Sequence, residues 1–174
     1  MSCSQTLKGI ARDCSASMGG IVRVLLANHA DVTAMTIADG VITAITMATG
    51  KTFYEYALRL GTSNLTHSRQ INAENGVNYV QSSLQMVFNR METAKRLEIT
   101  AIAQADLAAI VEDANGFFWF LGKDHPVTIS AEEDGTGTAR SDRNGYSVTL
   151  QDNSLQLPLE VSSSIIASLL PTPA

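Results

Sequence analysis

The sequence predicts a mainly β fold, an antiparallel β-barrel or sandwich with one flanking α-helix and one long hairpin. Three observations favour it: turn-forming dipeptides recur, β-type residues flank them, and one long segment alternates between apolar and polar positions. An Asn or Asp followed by Gly readily adopts the positive φ angles of a tight hairpin turn. Such pairs are Asp39-Gly40, Asn75-Gly76, Asn115-Gly116, Asp134-Gly135 and Asn144-Gly145.

Segments enriched in Val, Ile, Thr and aromatic residues lie beside most of these turns, which is typical of strands. Short strands joined by tight turns indicate a meandering antiparallel sheet. In chain order, the predicted strands cover residues 20–28, 33–38, 41–47, 52–60, 107–113, 117–121 and 146–150.

The segment 77–90 predicts an unusually long strand with one apolar and one polar side. A period of two fits its pattern and a helical period does not. The apolar side is formed by Val80, Leu84, Met86 and Phe88. The other side carries the uncharged polar residues Gln81, Ser83, Gln85 and Asn89.

Across the Asn75-Gly76 turn, this strand is expected to pair with 62–72, which is polar on both sides apart from Leu65 and Ile71. A free hairpin of this kind is marginal in water and leaves unpaired edges, so a monomer should avoid it. We therefore expect an assembly hairpin that joins one subunit to another.

The segment 91–105 changes to a helical period, with Glu92 placed four residues before Arg96. Glu98 interrupts its apolar stripe. We expect one amphipathic helix whose apolar side consists of Met91, Ala94, Leu97, Ala101, Ile102 and Ala105.

Length and charge limit the class of protein. The chain has 174 residues, enough to bury a core without a disulfide or a metal. We expect one domain over residues 1–174, with a flexible N-terminal arm at about 1–18 and a flexible C-terminal tail at about 165–174.

The net charge is -5, which argues against a protein that binds nucleic acid by neutralising phosphates. No apolar run approaches a membrane span, and no signal-peptide pattern opens the chain.

Residues that could carry catalysis or bind a metal are scattered. His29, His67 and His125 have no metal-ligand spacing, and Cys3 and Cys14 have no histidine near them in the sequence. No nucleophile elbow, phosphate-binding loop or dinucleotide motif occurs. We therefore expect no enzymatic activity, no metal and no cofactor.

Acidic residues cluster at 112–113 and at 132–134. The second cluster is interpreted as part of a solvated loop at 132–137. A cation site there is the alternative, but the segment lacks the spacing of a calcium-binding loop.

An aromatic run formed by Phe117, Phe118, Trp119 and Phe120 follows the Asn115-Gly116 turn. Adjacent residues of a strand point to opposite faces, so only two of the four share a side. Packing in the core or at a subunit interface is favoured over base stacking in this acidic neighbourhood, and Trp119 is interpreted as an anchor.

Several segments resemble a known class of protein. They are 14–20 followed by 21–25 (IVRVL), the Asp39-Gly40 hairpin, 51–56 (KTFYEY), 113–117 (DANGF) running on to 122, and 142–146 (DRNGY). They resemble virion structural proteins of bacteriophages and prophages, and in size and layout they most resemble the tail tube, or major tail, protein family. The resemblance spans nearly the whole chain and rests on turns and strand patterns.

The resemblance implies a β-barrel or sandwich with one helix, in which a long hairpin joins neighbours into a ring. It further implies stacked rings, usually hexamers, that form a conduit for DNA, and no catalytic residues. The implied partners are other copies of the chain, other phage tail proteins, and phage DNA that passes without specific binding; no membrane is involved. The implied location is the tail of the virion, after synthesis and assembly in the bacterial host cytoplasm.

Within that frame, the lumen-facing candidates are Gln81, Ser83, Gln85 and Asn89. The candidates for the subunit interface or core are Val80, Leu84, Met86, Phe88 and Trp119. Arg69 and Arg90 depart from an uncharged lining, so we expect them to pair with acids or to point toward a neighbour. The alternatives are a neck, head-completion or capsid-decorating protein, and a small enzyme with dispersed catalytic residues.

Overall fold

The computed structural model describes residues 7–171 as two β-sheets and two α-helices. The first half of the described chain contains the strands β1 (Ile21–Asn28), β2 (Val32–Ala38), β3 (Val41–Met47), β4 (Tyr54–Ala57), β5 (Asn64–Asn72) and β6 (Val77–Asn89). The second half contains α1 (Thr93–Gln104), β7 (Leu107–Asp113), β8 (Phe118–Leu121), β9 (Thr128–Gly135), β10 (Gly145–Ser154), β11 (Leu159–Val161) and α2 (Ser163–Leu169).

The strands form a seven-stranded sheet, β2-β3-β11-β8-β7-β1-β4, and a four-stranded sheet, β5-β6-β10-β9. Neighbouring strands are antiparallel except for β3 and β11, which are parallel. The two sheets stack as a sandwich and do not close into a barrel. The mainly β prediction is therefore confirmed, and the architecture is the sandwich.

Two apolar clusters hold the layers together. The main core lies between the sheets, where residues such as Val24 and Leu26 of β1 pack with Leu84 of β6 and Val148 of β10. A second cluster lies on the other side of the seven-stranded sheet and contains buried residues of α2. Burial of apolar area on both sides of this sheet accounts for its continuous apolar strands, such as β7.

Three of the predicted turns connect consecutive strands. Asp39 and Gly40 have φ angles of 52° and 83° between β2 and β3, as a tight hairpin turn requires. Asn75-Gly76 joins β5 to β6, and Asn115-Gly116 joins β7 to β8. Strand positions beside these turns agree closely with the sequence pattern.

The two remaining turn predictions are wrong. Asp134-Gly135 ends β9 and Gly145 begins β10, so the chain reverses through residues 136–144. Gly135 and Gly145 lie directly opposite each other in the sheet. A Cβ atom on Gly145 would lie 2.0 Å from the Phe88 carbonyl oxygen, so this glycine permits a close approach of β10 to β6.

Helix α1 confirms the predicted helix, but the predicted buried side is only partly right, since it includes the buried Ile102 and also the exposed Leu97. Ile99 and Ile102 are its buried residues, whereas Leu97 is 58% exposed. The predicted stripe relied on alanines, which bury little area and so do not set the orientation of a helix. Glu98, which interrupts that stripe, accepts a hydrogen bond from the Tyr56 hydroxyl.

The single-helix prediction is corrected by α2, which occupies much of the tail expected to be flexible. Ile166 and Leu169 are each 4% exposed, and the Leu169 carbonyl accepts a hydrogen bond from the Phe53 N–H at 2.9 Å. A helix this short is unstable alone, so its packing on the seven-stranded sheet accounts for its formation. The end of the predicted tail, 172–174, lies outside the described residues.

The described part of the predicted N-terminal arm, 7–18, contains no helix or strand and is exposed. The arm is held at its base by Met18, whose N–H donates to the Asn115 side chain at 2.8 Å. Residues 1–6 of the predicted arm lie outside the described residues. Neither described helix is long and apolar enough to cross a membrane.

Candidate functional site

The candidate functional site is the side of the four-stranded sheet that faces away from the main core, which we call the polar face. Residues directly opposite each other on antiparallel strands project to the same side, so the register defines its members. They are Asn64, Thr66, Ser68, Gln70 and Asn72 of β5; Val77, Tyr79, Gln81, Ser83, Gln85, Val87 and Asn89 of β6; Ser147, Thr149, Gln151 and Asn153 of β10; and Thr128, Ala131 and Glu133 of β9. Amide and hydroxyl side chains dominate this set, and Glu133 is its one charged member.

The four predicted lumen-facing residues, Gln81, Ser83, Gln85 and Asn89, all occupy polar-face positions on β6. The first three are half-buried in the middle of the sheet, and Asn89 is exposed at the end of the strand. The register adds equivalent residues on both neighbouring strands. The sequence reasoning paired 62–72 with the long strand without a register, and it did not place 146–150 beside that strand.

Several side chains of the polar face hydrogen-bond to one another. The Gln85 Nε2 donates to the Ser147 Oγ at 3.2 Å, across β6 and β10. The Gln70 Nε2 donates to the Ser68 Oγ at 3.1 Å, along β5. These mutual bonds occupy hydrogen-bonding groups without introducing a charge.

The opposite side of β6 fills the core of the subunit. Val80, Leu84 and Met86 have no solvent-exposed surface, and Phe88 packs edge-on against Tyr56 with ring centroids 6.4 Å apart. The predicted alternation is therefore confirmed, and these candidates for core or interface are core residues of the single chain. A charge at Val80 or Leu84 would disrupt folding before it affected assembly.

Trp119 is half-buried on β8 and lies outside the polar face. Its indole N–H donates to the Asp113 Oδ2 at 3.2 Å, and its ring lies against Phe117 at 6.4 Å between centroids. Asp113 also accepts the N–H groups of Asn115 and Phe117, so it organises the turn. Trp119 anchors the β7–β8 hairpin.

The four-stranded sheet has two open edges, formed by β5 and β9. Nearly all residues of both strands are exposed. The hairpin also extends past the rest of its sheet, because Val80 is the last residue of β6 opposite β10 and residues 77–79 pair only with β5. At this tip Ile71 is 68% exposed.

A buried carboxyl group lies behind the polar face, and no pattern in the sequence indicated it. Asp152 is 2% exposed on the core side of β10, opposite the equally buried Ser82 of β6. Its Oδ1 has no hydrogen-bond partner among the described residues. Burial raises the pKa of Asp152 to about 6, while the backbone N–H of Gly122 acts in the opposite direction.

Asp124, close to Asp152, has the opposite environment. Its Oδ2 accepts the backbone N–H of Leu155 at 3.0 Å and the hydroxyl of Ser154 at 3.1 Å. These hydrogen bonds, the backbone bond foremost, lower the pKa of Asp124. Asp124 therefore fixes the loop before β9 to the end of β10. For Asp152, by contrast, burial destabilises the ionised form of the side chain.

The histidines and the described cysteine do not form a metal site. His67 is bonded through Nδ1 to the Ser82 Oγ at 2.9 Å, and burial lowers its pKa. His29 and His125 are far apart in the sequence, but the charge interaction of each with Asp152 lowers the pKa of that carboxyl group. Within residues 7–171, no three His, Cys, Asp or Glu side chains are grouped to hold a metal ion. Cys14 is an exposed free thiol, and Cys3 lies outside the described residues.

The acidic cluster predicted as a loop lies in a strand. Glu132, Glu133 and Asp134 belong to β9 and project alternately to its two sides. Their alternation separates the carboxylates, which is unfavourable for joint cation binding. In the other cluster, Glu112 forms an ion pair with Arg23.

The two arginines that depart from an uncharged lining do not project from the polar face. Arg69 lies opposite Val80, on the core side of β5, and donates to the Asn78 Oδ1 at 2.8 Å. Arg90 follows β6 and forms an exposed ion pair with Glu92 at 3.2 Å. The expected acidic partner is therefore present for Arg90, and Arg69 has an amide partner instead.

No family model, curated protein or solved structure matches the chain.

Proposed function

We propose that the chain is a structural, non-catalytic virion protein of a bacteriophage or prophage that assembles into stacked hexameric rings, forming a tail tube through which DNA passes. The observation that carries this proposal is the polar face. One side of the four-stranded sheet carries mainly amides and hydroxyls that are at least partly exposed, apart from the buried Val87 and Ser147, and the other side fills a core. Such a sheet suits the wall of a conduit.

The chemistry of the polar face suits the passage of a polyanion. Each Lys or Arg that contacts a phosphate strengthens DNA binding, and the contributions accumulate over many contacts. Glu133 is the one charged member of the polar face, while Arg69 lies on the other side of the sheet. DNA moving along this surface therefore meets polar groups that do not hold its phosphates.

The ends of the subunit suit axial stacking. The N-terminal arm joins β1 at Gly20, which lies beside Gly61, just before β5 begins at Asn64. The hairpin tip at Asn75-Gly76 follows the other end of β5. Arm and tip thus leave from opposite ends, so identical rings stacked in one direction bring the arms of one ring toward the tips of the next.

The test places positive charge on the polar face. In the variant Gln81→Lys/Gln85→Lys, the new ammonium groups point into the lumen, so rings and tubes should still form. Tubes assembled in the presence of short labelled duplex DNA should then retain the DNA at low salt and release it as salt rises. Sedimentation of tubes with bound label measures this.

The matched control is Gln104→Lys/Gln156→Lys, which adds the same charge at exposed positions away from the polar face. It should retain no more DNA than the parent. Equal retention by the two variants would contradict a lumen lined by the polar face. A protein that forms no ring would instead support a neck, head-completion or capsid-decorating role.

A further inference from the structure

A cleft of about 640 Å³ lies at the end of the four-stranded sheet where β6 ends and β10 begins. Val87 and Asn89 of the polar face contribute its β6 side. The segment before β5 forms one wall with Arg59 and Thr62, and the segment before β10 forms the other wall, which includes Arg143. Because β5 and β10 lie on opposite sides of β6, the two walls approach the cleft from opposite sides.

Hydrogen bonds hold both walls of the cleft. In the first wall, the Thr62 hydroxyl donates to the Arg59 carbonyl oxygen at 2.7 Å. In the second, the Asp142 Oδ2 accepts the backbone N–H groups of Thr138 and Ala139 at 2.8 and 2.7 Å. Both loops are therefore ordered before a ligand arrives, which lowers the entropy cost of binding.

Asn144 joins the second wall to the end of β6. Its backbone carbonyl oxygen accepts the Arg90 N–H at 2.6 Å, and its Oδ1 accepts the Met91 N–H at 3.0 Å. Within residues 7–171, no side chain or carbonyl group accepts a hydrogen bond from the Asn144 Nδ2. Since Asn144 lines the cleft, this group is left to donate to a ligand there.

The cleft carries an excess of positive charge. Arg59 and Arg143 take part in none of the ion pairs formed within residues 7–171. Asp142 is the one acidic residue among those that line the cleft, and one of its carboxylate oxygens already accepts two N–H groups. This local excess contrasts with the net charge of -5 of the chain, so the cleft favours an anion.

We propose that the cleft binds the terminal phosphate of a small molecule, between Arg59 and Arg143 and with the Asn144 Nδ2 as a third donor. A guanidinium group can donate two parallel hydrogen bonds to an oxyanion. A terminal phosphate offers three acceptor oxygens and about 1.5–2 negative charges at pH 7. A phosphodiester of DNA carries one charge, so two arginines and an amide match the terminal phosphate better. The inference goes beyond the proposed conduit, since it needs no ring.

The test is equilibrium dialysis of the full chain against labelled adenosine 5′-monophosphate. We expect saturable binding of one molecule per subunit, competition by inorganic phosphate, and no binding of adenosine. Cyclic adenosine monophosphate, a diester with one charge, should bind roughly tenfold more weakly. Arg59→Gln and Arg143→Gln should each weaken binding of the monophosphate by roughly tenfold or more, because each removes charged hydrogen bonds.

Arg140→Gln is the matched control, since it removes an exposed arginine from the loop between β9 and β10 but outside the cleft. It should bind like the parent, and unfolding curves should show that every variant is folded. Arg59 and Arg143 variants that bind like the parent would overturn the proposal, and so would a parent that binds no monophosphate. Equal affinity for the cyclic diester would overturn the preference for a terminal phosphate. Binding by a protein that forms no ring would support this site and contradict the proposed function.

Discussion

Ser82 and Asp152 lie directly opposite each other on β6 and β10, both buried on the core side of the four-stranded sheet. Burial in this position disfavours the ionised form of the carboxyl group and raises its pKa to about 6. The contribution of Asp152 to the stability of this sheet therefore depends on pH.

Asp152→Asn should stabilise the protein at neutral pH by about 1–2 kcal/mol. Because the native pKa exceeds the unfolded value, the native state binds the extra proton, and the contribution of Asp152 to stability falls as pH rises from about 4 to about 6. The advantage of the variant should thus be small near pH 4 and constant above about pH 7. Urea unfolding of both proteins across this range measures it.

Asp124→Asn should have the opposite effect, which makes it the control for Asp152. Hydrogen bonds from Leu155 and Ser154 lower the pKa of Asp124, so its stabilising contribution is present above its unfolded pKa and lost as pH falls below it. The variant should be destabilised at pH 7 by about 1 kcal/mol. Equal responses of the two variants would contradict the environments described for these carboxyl groups.

Gly145→Ala should destabilise the protein by about 2–4 kcal/mol, because its Cβ would overlap the carbonyl oxygen of Phe88 and force β10 away from β6. Gly135→Ala is the matched control, since Gly135 lies directly opposite Gly145 and a Cβ there meets nothing within 4 Å. It should change stability by about 0.5 kcal/mol or less. Thermal or urea unfolding of the pair separates close approach from a general effect of removing glycine.

Ile99→Ala and Leu97→Ala distinguish the observed buried side of α1 from the predicted one, because Ile99 lies outside the predicted stripe and Leu97 belongs to it. Ile99 is 3% exposed and Leu97 58% exposed. The first substitution should cost about 2–4 kcal/mol of unfolding free energy, and the second less than about 1 kcal/mol. Similar losses would mean that the helix packs through the stripe inferred from the sequence.

Local patterns in the sequence were sufficient for much of the fold. The alternation through Val80, Leu84 and Met86 predicted a strand with one buried side, because a period of two fixes which residues share a side. The turn at Asp39-Gly40 was also identifiable, since few residues accept two successive positive φ angles. These features depend on residues close together in the chain.

Features that depend on long-range contacts could not be predicted in this way. Gly145 permits a close approach of β10 to β6, but the pair Asn144-Gly145 resembles a turn signal in the sequence. α2 forms because Ile166 and Leu169 pack against the seven-stranded sheet. The polar face needed the register of β5, β6, β10 and β9, which joins residues far apart in the chain.

The central claim is that this chain forms rings whose inner wall is the polar face. Electron microscopy of the purified protein over a range of concentrations tests it most directly. We expect six-fold rings or stacked tubes, with the four-stranded sheets lining the opening. Particles that stay monomeric or trimeric, or rings whose opening is lined by the seven-stranded sheet, would contradict the claim.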